Sequence, residues 1–318
     1  MSRPFRLVLL AALVVIGFAL SLAAGKQWLP WGDPAATAIF VELRLPRAVL
    51  GLLLGAFLGL NGAVLQGFLR NPLADPAVVG VSSCAAFGAV AAILYAGATS
   101  LGLFGAAMAG ALAAMALLVA LTWRGADAVT FVLAGTVLSS LAGALTAFLI
   151  AIAPNPYAVA GVIDWLMGAL TDRGLADLAR AAPFLVLGGV LLAFAGPGLD
   201  ALTLGEDVAR SLGMRIGRVQ ALVVLGTGLG VGAGVAATGV IGFFGLVVPH
   251  MLRPLFGHRP SALLLPSALG GAALVLLADS LCRLAPGASE VRLGVAMALL
   301  GAPFFLALLL RHRNRAWI

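Results

Sequence analysis

The feature that most constrains this chain is a series of long apolar runs with almost no charge. Residues 48–69 and 129–152 are examples. A helix of about 20 apolar residues crosses the hydrocarbon core of a bilayer, and both runs reach that length. Hydrophobic residues make up 62% of the chain and charged residues only 10%, whereas soluble domains carry about 25% charge. No soluble core could bury so much apolar surface, so we expect the chain to lie largely in a membrane.

The apolar runs predict helices rather than barrel strands. Within lipid only helices and closed barrels satisfy every backbone polar group, and barrel strands alternate polar and apolar residues. The runs here are continuous, so we predict an all-α, polytopic membrane protein. Ten runs are present, at residues 7–24, 48–69, 78–98, 104–122, 129–152, 181–199, 219–237, 240–256, 262–282 and 292–310.

Two of these runs have more than one interpretation. The run 7–24 resembles a signal peptide, but it exceeds the apolar stretch of about 7–15 residues that such peptides carry, so we expect a retained span. Residues 219–256 form one apolar block. We divide it at Gly239 and Gly242, because glycine allows the chain to turn.

The basic residues predict the orientation of the spans. With ten spans and a cytoplasmic N-terminus, twelve of the nineteen basic residues lie inside, as the positive-inside rule requires. A nine-span count would place the basic C-terminal residues 311–315 outside. We therefore predict ten transmembrane helices with both termini cytoplasmic. The basic residues left outside are Lys26, Arg44, Arg47, Arg173, Arg180, Arg283 and Arg292.

Two connecting loops are longer than the others. Residues 153–180 are predicted to be external and to contain a surface helix, and residues 200–218 are predicted to be cytoplasmic. Neither loop is long enough for a soluble domain. Residues 1–318 are therefore predicted to form a single transmembrane domain.

The sequence lacks the motifs of an ATPase or a membrane enzyme. A P-loop requires GxxxxGK[ST], but Gln27 follows the single lysine, Lys26. The glycine-rich residues 226–234 lack GxGxxG spacing and are more typical of a helix-packing face. The arginines stand singly at the ends of apolar runs, which argues against a nucleic-acid partner despite a net charge of +7. We expect no catalytic, cofactor-binding or metal-binding residue in this chain.

A few polar side chains lie within the predicted spans and have two interpretations. They form hydrogen bonds between helices, worth roughly 0.6–2 kcal/mol each, or they line a transport pathway. Asp279 likewise has a structural interpretation. It lies four residues before Arg283, so the two side chains can form an ion pair on one helix. The candidate pathway residues are Asn61, Gln66, Ser139 and Ser140.

Several segments, in chain order, resemble the permease subunits of ABC importers for iron-siderophores, haem and cobalamin, the FecCD type. The resemblance covers nearly the whole chain. The longest segment, residues 44–90, begins RLPRAVLGLLLGAFLGLNGAVLQG. It is followed by WLMGAL (165–170), LGEDVARSLGM (204–214), GVIGFFGLVVPHMLRPLFG (239–257), ADSLCR (278–283) and GAPFFLALLL (301–310).

The resemblance implies a fold, partners and a function. Such permeases have ten spans, form a homodimer with the pathway along the two-fold axis, and lie in the cytoplasmic (inner) membrane of bacteria. Two ATPase subunits, which bind ATP and Mg²⁺, join the cytoplasmic side, and one substrate-binding protein joins the outside. The expected substrate is an iron chelate (siderophore), haem or cobalamin. The chain itself would be a transport subunit and not an enzyme.

The resemblance also assigns site residues. The segment at 204–214 corresponds to the family's ATPase-coupling helices, and two acids at its start suit a helix N-terminus; a plain solvated loop helix is the alternative. The arginines of RLPR and of ADSLCR would dock the binding protein; anchoring of helix ends at lipid headgroups is the alternative. The coupling residues are Leu204, Gly205, Glu206, Asp207, Arg210 and Gly213, and the docking residues are Arg44, Arg47 and Arg283.

A second function from another class stays open on the residues alone. An ion-coupled secondary transporter would work without an ATPase and would need an acidic residue within the membrane. Asp279 is the main candidate for that role.

Overall fold

The computed structural model describes residues 2–25, 34–77, 79–97, 99–122, 128–286 and 289–315, and the regular structure within these ranges is helical throughout. A π-helical turn, Phe40–Arg44, joins the second helix to the third. The α-helices are α1 (Arg3–Ala23), α2 (Pro34–Ile39), α3 (Leu45–Phe68), α4 (Val81–Tyr95), α5 (Ser100–Thr122), α6 (Ala128–Ala151), α7 (Pro156–Leu166), α8 (Leu175–Phe194), α9 (Gly196–Leu202), α10 (Glu206–Ser211), α11 (Ile216–Thr238), α12 (Phe244–Phe256), α13 (Pro260–Leu284) and α14 (Leu293–Arg315).

The all-helical prediction is confirmed, and each of the ten apolar runs overlaps an apolar helix. Seven helices of the described chain are long and apolar enough to cross a membrane. Three shorter apolar helices, Val81–Tyr95, Phe244–Phe256 and Leu293–Ala307, correspond to the remaining runs. The count of ten spans and the cytoplasmic position of both termini stay predictions.

The boundaries differ most from the predicted ones at two places. The run 181–199 extends too far, because α8 ends at Phe194 and α9 begins at Gly196. Pro197 lies in the first turn of α9, where the missing N–H of proline leaves no hydrogen bond unmade. The helical residues 34–44 before α3 were not predicted.

Glycines bring the backbones of α3 and α13 into direct contact. A methyl group on Gly59 would fall on the carbonyl oxygen of Ser267, and one on Gly271 would fall on that of Gly55. Such small residues allow membrane helices to approach closely. Gly55 and Gly59 therefore form the face on which α3 packs.

The glycine-rich residues of α11 are likewise a packing face, as predicted. A methyl group on Gly230 would collide with the ring of Phe57 in α3, and Gly226 lies against Gly188 and Leu192 of α8. The segment is buried within the helical bundle. The predicted division between α11 and α12 is confirmed as well, since α11 ends at Thr238 and Gly239 has a positive φ of 73°.

Candidate functional site

The arginines of RLPR and of ADSLCR meet where α3 begins and α13 ends. Pro46 stands in the first turn of α3, where proline fits a helix, and Arg47 follows it. Asp279 and Arg283 are one turn apart near the end of α13. We call Arg44, Arg47 and Arg283, together with Asp279 and Glu290, the arginine cluster.

Asp279 is the centre of this cluster. Its carboxylate accepts two hydrogen bonds from Arg47, from Nη2 at 2.8 Å and from Nε at 3.0 Å. Arg283 Nη2 lies 3.2 Å from Asp279 Oδ2, the oxygen that also accepts from Arg47 Nε. The side chains of Asp279 and Arg283 are only 3% and 4% exposed, so these charges are withdrawn from solvent and neutralise each other.

A second acid, Glu290, also contacts Arg47. Arg47 Nη2 also donates to Glu290 at 2.9 Å, and the hydroxyl of Thr171 donates to the same oxygen at 2.8 Å. Burial raises the pKa of Glu290, but the hydrogen bonds and charge of Arg47 outweigh it and hold that pKa below its ordinary value. Two buried arginines thus face two carboxylates.

The arginine cluster also provides hydrogen-bond donors for the carbonyl groups at the end of α1. The last carbonyls of a helix have no partner within it, and the last turn of α1 carries no basic residue. Arg44 Nη1 lies 3.1 Å from the carbonyl of Leu22, and Arg283 Nη1 donates to that of Ala24 at 3.1 Å. Arg283 Nη2 also donates to the hydroxyl of Ser21 at 2.8 Å. The arginines therefore tie α1, α3 and α13 together.

The structure brings the three predicted docking arginines to one place, and each has contacts within the chain. Arg44 is half-buried, Arg47 is mostly buried and Arg283 is buried. The predicted ion pair between Asp279 and Arg283 is confirmed. Their role in docking a binding protein stays a prediction.

Glu290 and Thr171 were missed by the sequence analysis. They lie 243 and 124 residues from Arg47 along the chain, and no local spacing connects them with it. A signal was nevertheless present, since Glu290 is an acid standing directly before an apolar run and therefore a candidate partner for a basic residue at the same membrane level.

The coupling segment, residues 200–218, contains the predicted short helix. α10 begins after Gly205, whose φ of 97° favours glycine, and the turn after α10 contains Gly213 at φ 80°. Arg210 lies 3.1 Å from Glu206 and 3.2 Å from Asp207. These pairs are exposed, Asp207 fully so, and solvent screens them, so they add little to stability.

One face of this segment is apolar and exposed. Leu204, Val208 and Leu212 are all exposed. Val208 in α10 and Leu212 at its C-cap lie four residues apart, a spacing that places side chains on one side of a helix. Leu204 precedes the helix. Ala209, on the other side, is fully buried. α10 therefore presents an apolar stripe beside a charged one.

The candidate pathway residues fall into two groups. Asn61 and Gln66 are buried inside the bundle and bridge helices: Thr227 donates to Asn61 at 2.8 Å, and Gln66 donates to the carbonyl of Gly245 at 3.1 Å. Arg253 Nη2 donates to Gln66 Oε1 at 2.6 Å. Ser140 is exposed on α6, and Ser139 beside it is half-buried. A lining role for these four residues stays a prediction.

We expect Thr227→Val to lower stability by roughly 0.6–1.7 kcal/mol, the range for interhelical hydrogen bonds in membranes. The change keeps the side-chain shape and removes the bond to Asn61. Thr146→Val is the matched control, because its hydroxyl bonds only to Ala142 on its own helix. Thermal unfolding of both variants in detergent checks this, and an equal shift in the two would contradict the prediction.

The described residues contain no group of three His, Cys, Asp or Glu placed to hold a metal ion. What the structure defines is a helical protein with seven described helices long and apolar enough to cross a membrane. It has an ionic cluster at one end of α13 and an exposed short helix, α10, that follows the helix α9 packed at the other end. The sequence model of the FecCD transport family matches residues 9–311. The chain belongs to this family.

Individual relatives agree with the family assignment. The chain is 41% identical over 292 residues to the cobalamin import system permease protein BtuC of Halobacterium salinarum, covering 91% of this chain and 78% of the relative. It is 39% identical over 315 residues to the vitamin B12 import system permease protein BtuC of Salmonella typhi, covering 96% and 94%.

A solved structure is similar over almost the whole fold. It is an inward-facing conformation of a metal-chelate type ABC transporter, 33% identical in sequence, with a TM-score of 0.89. The alignment covers 97% of this chain and 99% of the other.

Proposed function

We propose that this chain is the transmembrane subunit of an ATP-binding-cassette importer that moves a metal chelate across the cytoplasmic membrane of a bacterium. The family match over residues 9–311 carries the proposal. Iron-siderophores, haem and cobalamin are the candidate substrates. The names of the relatives that are 41% and 39% identical favour cobalamin among them.

The proposed complex contains a homodimer of this chain, two ATPase subunits on the cytoplasmic side and one external substrate-binding protein. ATP and Mg²⁺ would be bound by the ATPase. This chain would make or break no bond in the substrate. It would instead open its pathway alternately to the two sides as the ATPase binds and hydrolyses ATP.

The exposed helix α10 supports contact with an ATPase. Its exposed Val208 and Leu212, with Leu204 just before the helix, suit a hydrophobic groove on a partner, because an amphipathic helix docks through side chains four residues apart. Glu206, Asp207 and Arg210 beside the stripe provide charges at the rim, where charge sets orientation and association rate.

The decisive experiment is uptake by liposomes that contain the purified chain. With the cognate ATPase, binding protein and ATP, labelled cobalamin should accumulate, and omission of any one component should abolish accumulation. Cobalamin uptake driven by a proton or sodium gradient, with neither ATPase nor binding protein present, would instead support the ion-coupled alternative. The contacts of Asp279 with two arginines favour a structural role for that acid.

Docking of the binding protein is tested by a substitution at Arg44 alone. Arg47 and Arg283 hold the fold together, so their replacement would confuse folding with docking. Arg44 is half-buried and more accessible than Arg283. We expect Arg44→Gln to weaken binding-protein affinity by about tenfold, which corresponds to about 1.4 kcal/mol.

Arg180→Gln is the control for this substitution. Arg180 is predicted to lie on the same outer side, and its ion pair is local, with Asp177 at 3.1 Å on the same helix. Binding kinetics of the purified binding protein on the reconstituted permease would report both variants. An Arg44→Gln variant with wild-type affinity would refute the docking role of that arginine.

A further inference from the structure

The first turn of α13 has no cap of its own. The N-terminal N–H groups of a helix lack intrahelical partners, and Ser, Thr, Asp or Asn normally precede the helix to accept from them. Here Arg259 occupies that position, and its side chain makes no capping hydrogen bond to the helix. Pro260 follows, which has no N–H, so Ser261 carries the first free N–H of the helix.

Asp200 supplies the missing cap from another helix. Its Oδ1 accepts from the backbone N–H of Ser261 at 2.9 Å, and its Oδ2 accepts from the Ser261 hydroxyl at 2.6 Å. Arg259 Nε donates to the same carboxylate at 2.7 Å. The Asp200 side chain is only 16% exposed. A carboxylate at this point also complements the dipole of the 25-residue helix α13.

Asp200 belongs to α9, the helix that leads directly into α10. The backbone turns at the junction, with the N–H of Gly205 bonded to the carbonyl of Leu202 at 3.1 Å. Gly196 of α9 lies against the first turn of α13, its side-chain position 3.1 Å from Leu264. Leu199 and Leu202 of α9 are also buried. The helix pair α9–α10 is thus fixed to the beginning of α13 by packing and by one carboxylate.

α13 connects this joint with the arginine cluster. It runs from Pro260 beside α9 to Leu284 beside the cluster. Along its length it contacts the backbone of α3 through Gly55, Gly59 and Gly271. Because these contacts are between backbones, the two helices cannot slide past each other without a clash. A displacement of the α13 N-terminus therefore moves α3 and the cluster with it.

We propose that Asp200 is a positioning residue that transmits movement between the coupling helix α10 and the α3–α13 pair, and through that pair to the arginine cluster. This inference rests on the proposed function, because the movement would originate in the ATPase. Asp200 itself would touch neither the ATPase nor the substrate.

The test measures substrate transported per ATP hydrolysed in the reconstituted complex with cognate ATPase, binding protein and labelled cobalamin. Asp200→Ala should retain ATPase assembly and hydrolysis but lower the transport-to-ATP ratio by about tenfold, within the usual range of coupling between sites. Asp200→Asn keeps an acceptor for Ser261 and loses the Arg259 ion pair, so its ratio should lie between those of Asp200→Ala and wild type.

Asp177→Ala is the matched control. Asp177 is also a carboxylate in the first turn of a helix, but it accepts from Gly174 and Arg180 of its own segment. Its transport-to-ATP ratio should equal that of the wild type. The double variant Asp200→Asn with Arg259→Gln should have a transport-to-ATP ratio no lower than that of Asp200→Asn alone. Both substitutions remove the same ion pair, so the second adds no further loss.

The outcomes separate this inference from the proposed function. Absence of ATP-driven uptake by the wild-type complex would refute the function. Wild-type uptake with an unchanged ratio in Asp200→Ala would overturn the inference, as would loss of transport in strict proportion to loss of assembled complex. If Asp200→Ala does not fold, an unchanged ratio in Asp200→Asn overturns it equally.

Discussion

Gly59→Ala is expected to destabilise the protein by about 1–3 kcal/mol or more, the usual cost of overpacking a core. The added methyl group would fall on the carbonyl oxygen of Ser267 in α13. Neither atom belongs to a flexible side chain, so relief requires the two helices to separate. Alanine is intrinsically preferred over glycine in a helix by about 1 kcal/mol, so any measured loss understates the cost of the clash.

Gly105→Ala provides the control for this prediction. Gly105 lies within α5, and no atom lies within 4 Å of the position its methyl group would take. No steric clash then opposes the higher helix propensity of alanine, so the midpoint of thermal unfolding in detergent should stay unchanged or rise. A Gly59→Ala protein as stable as the wild type would show that α3 and α13 do not pack backbone to backbone.

Features that depend on neighbouring residues were predictable from the sequence. Uninterrupted apolar runs located the long helices because a spanning helix needs only length and low charge. The break at Gly239 and the short helix beginning at Glu206 were also found, since turns and helix starts have local residue preferences. The ion pair of Asp279 with Arg283 followed from i,i+4 spacing alone.

Features that depend on residues distant along the chain could not be predicted from local sequence patterns. Asp279 binds Arg47, which is 232 residues away, with better geometry than it binds Arg283. The cap of α13 comes from Asp200 rather than from the residue before the helix. The polar residues inside the spans were equally ambiguous, because Asn61 and Ser140 both occupy apolar runs. Their surroundings separate them: Asn61 is buried between helices and Ser140 is exposed.

Asp279→Asn is expected to cost about 3–5 kcal/mol, the range for breaking a buried ion pair by removing one partner. The substitution preserves size but replaces the charged carboxylate with a neutral amide, whose NH2 group only donates and cannot bind the donors of the two arginines. Arg47 would retain Glu290, but Arg283 would keep only Ser21 and Ala24, which carry no charge. A buried guanidinium without a carboxylate is costly, so the junction of α1, α3 and α13 should loosen first.

Asp164→Asn tests whether burial of the ion pair causes the loss of stability expected for Asp279→Asn. Asp164 also pairs with an arginine, Arg292, through hydrogen bonds of 2.6–3.0 Å, but its side chain is 55% exposed. Water can replace the lost partner there, and exposed pairs are worth about 1 kcal/mol or less. The midpoint of thermal unfolding should therefore fall far more for Asp279→Asn than for Asp164→Asn. Equal shifts would mean that the arginine cluster is no more than a surface ion network, and that α13 is not anchored at its end by charge.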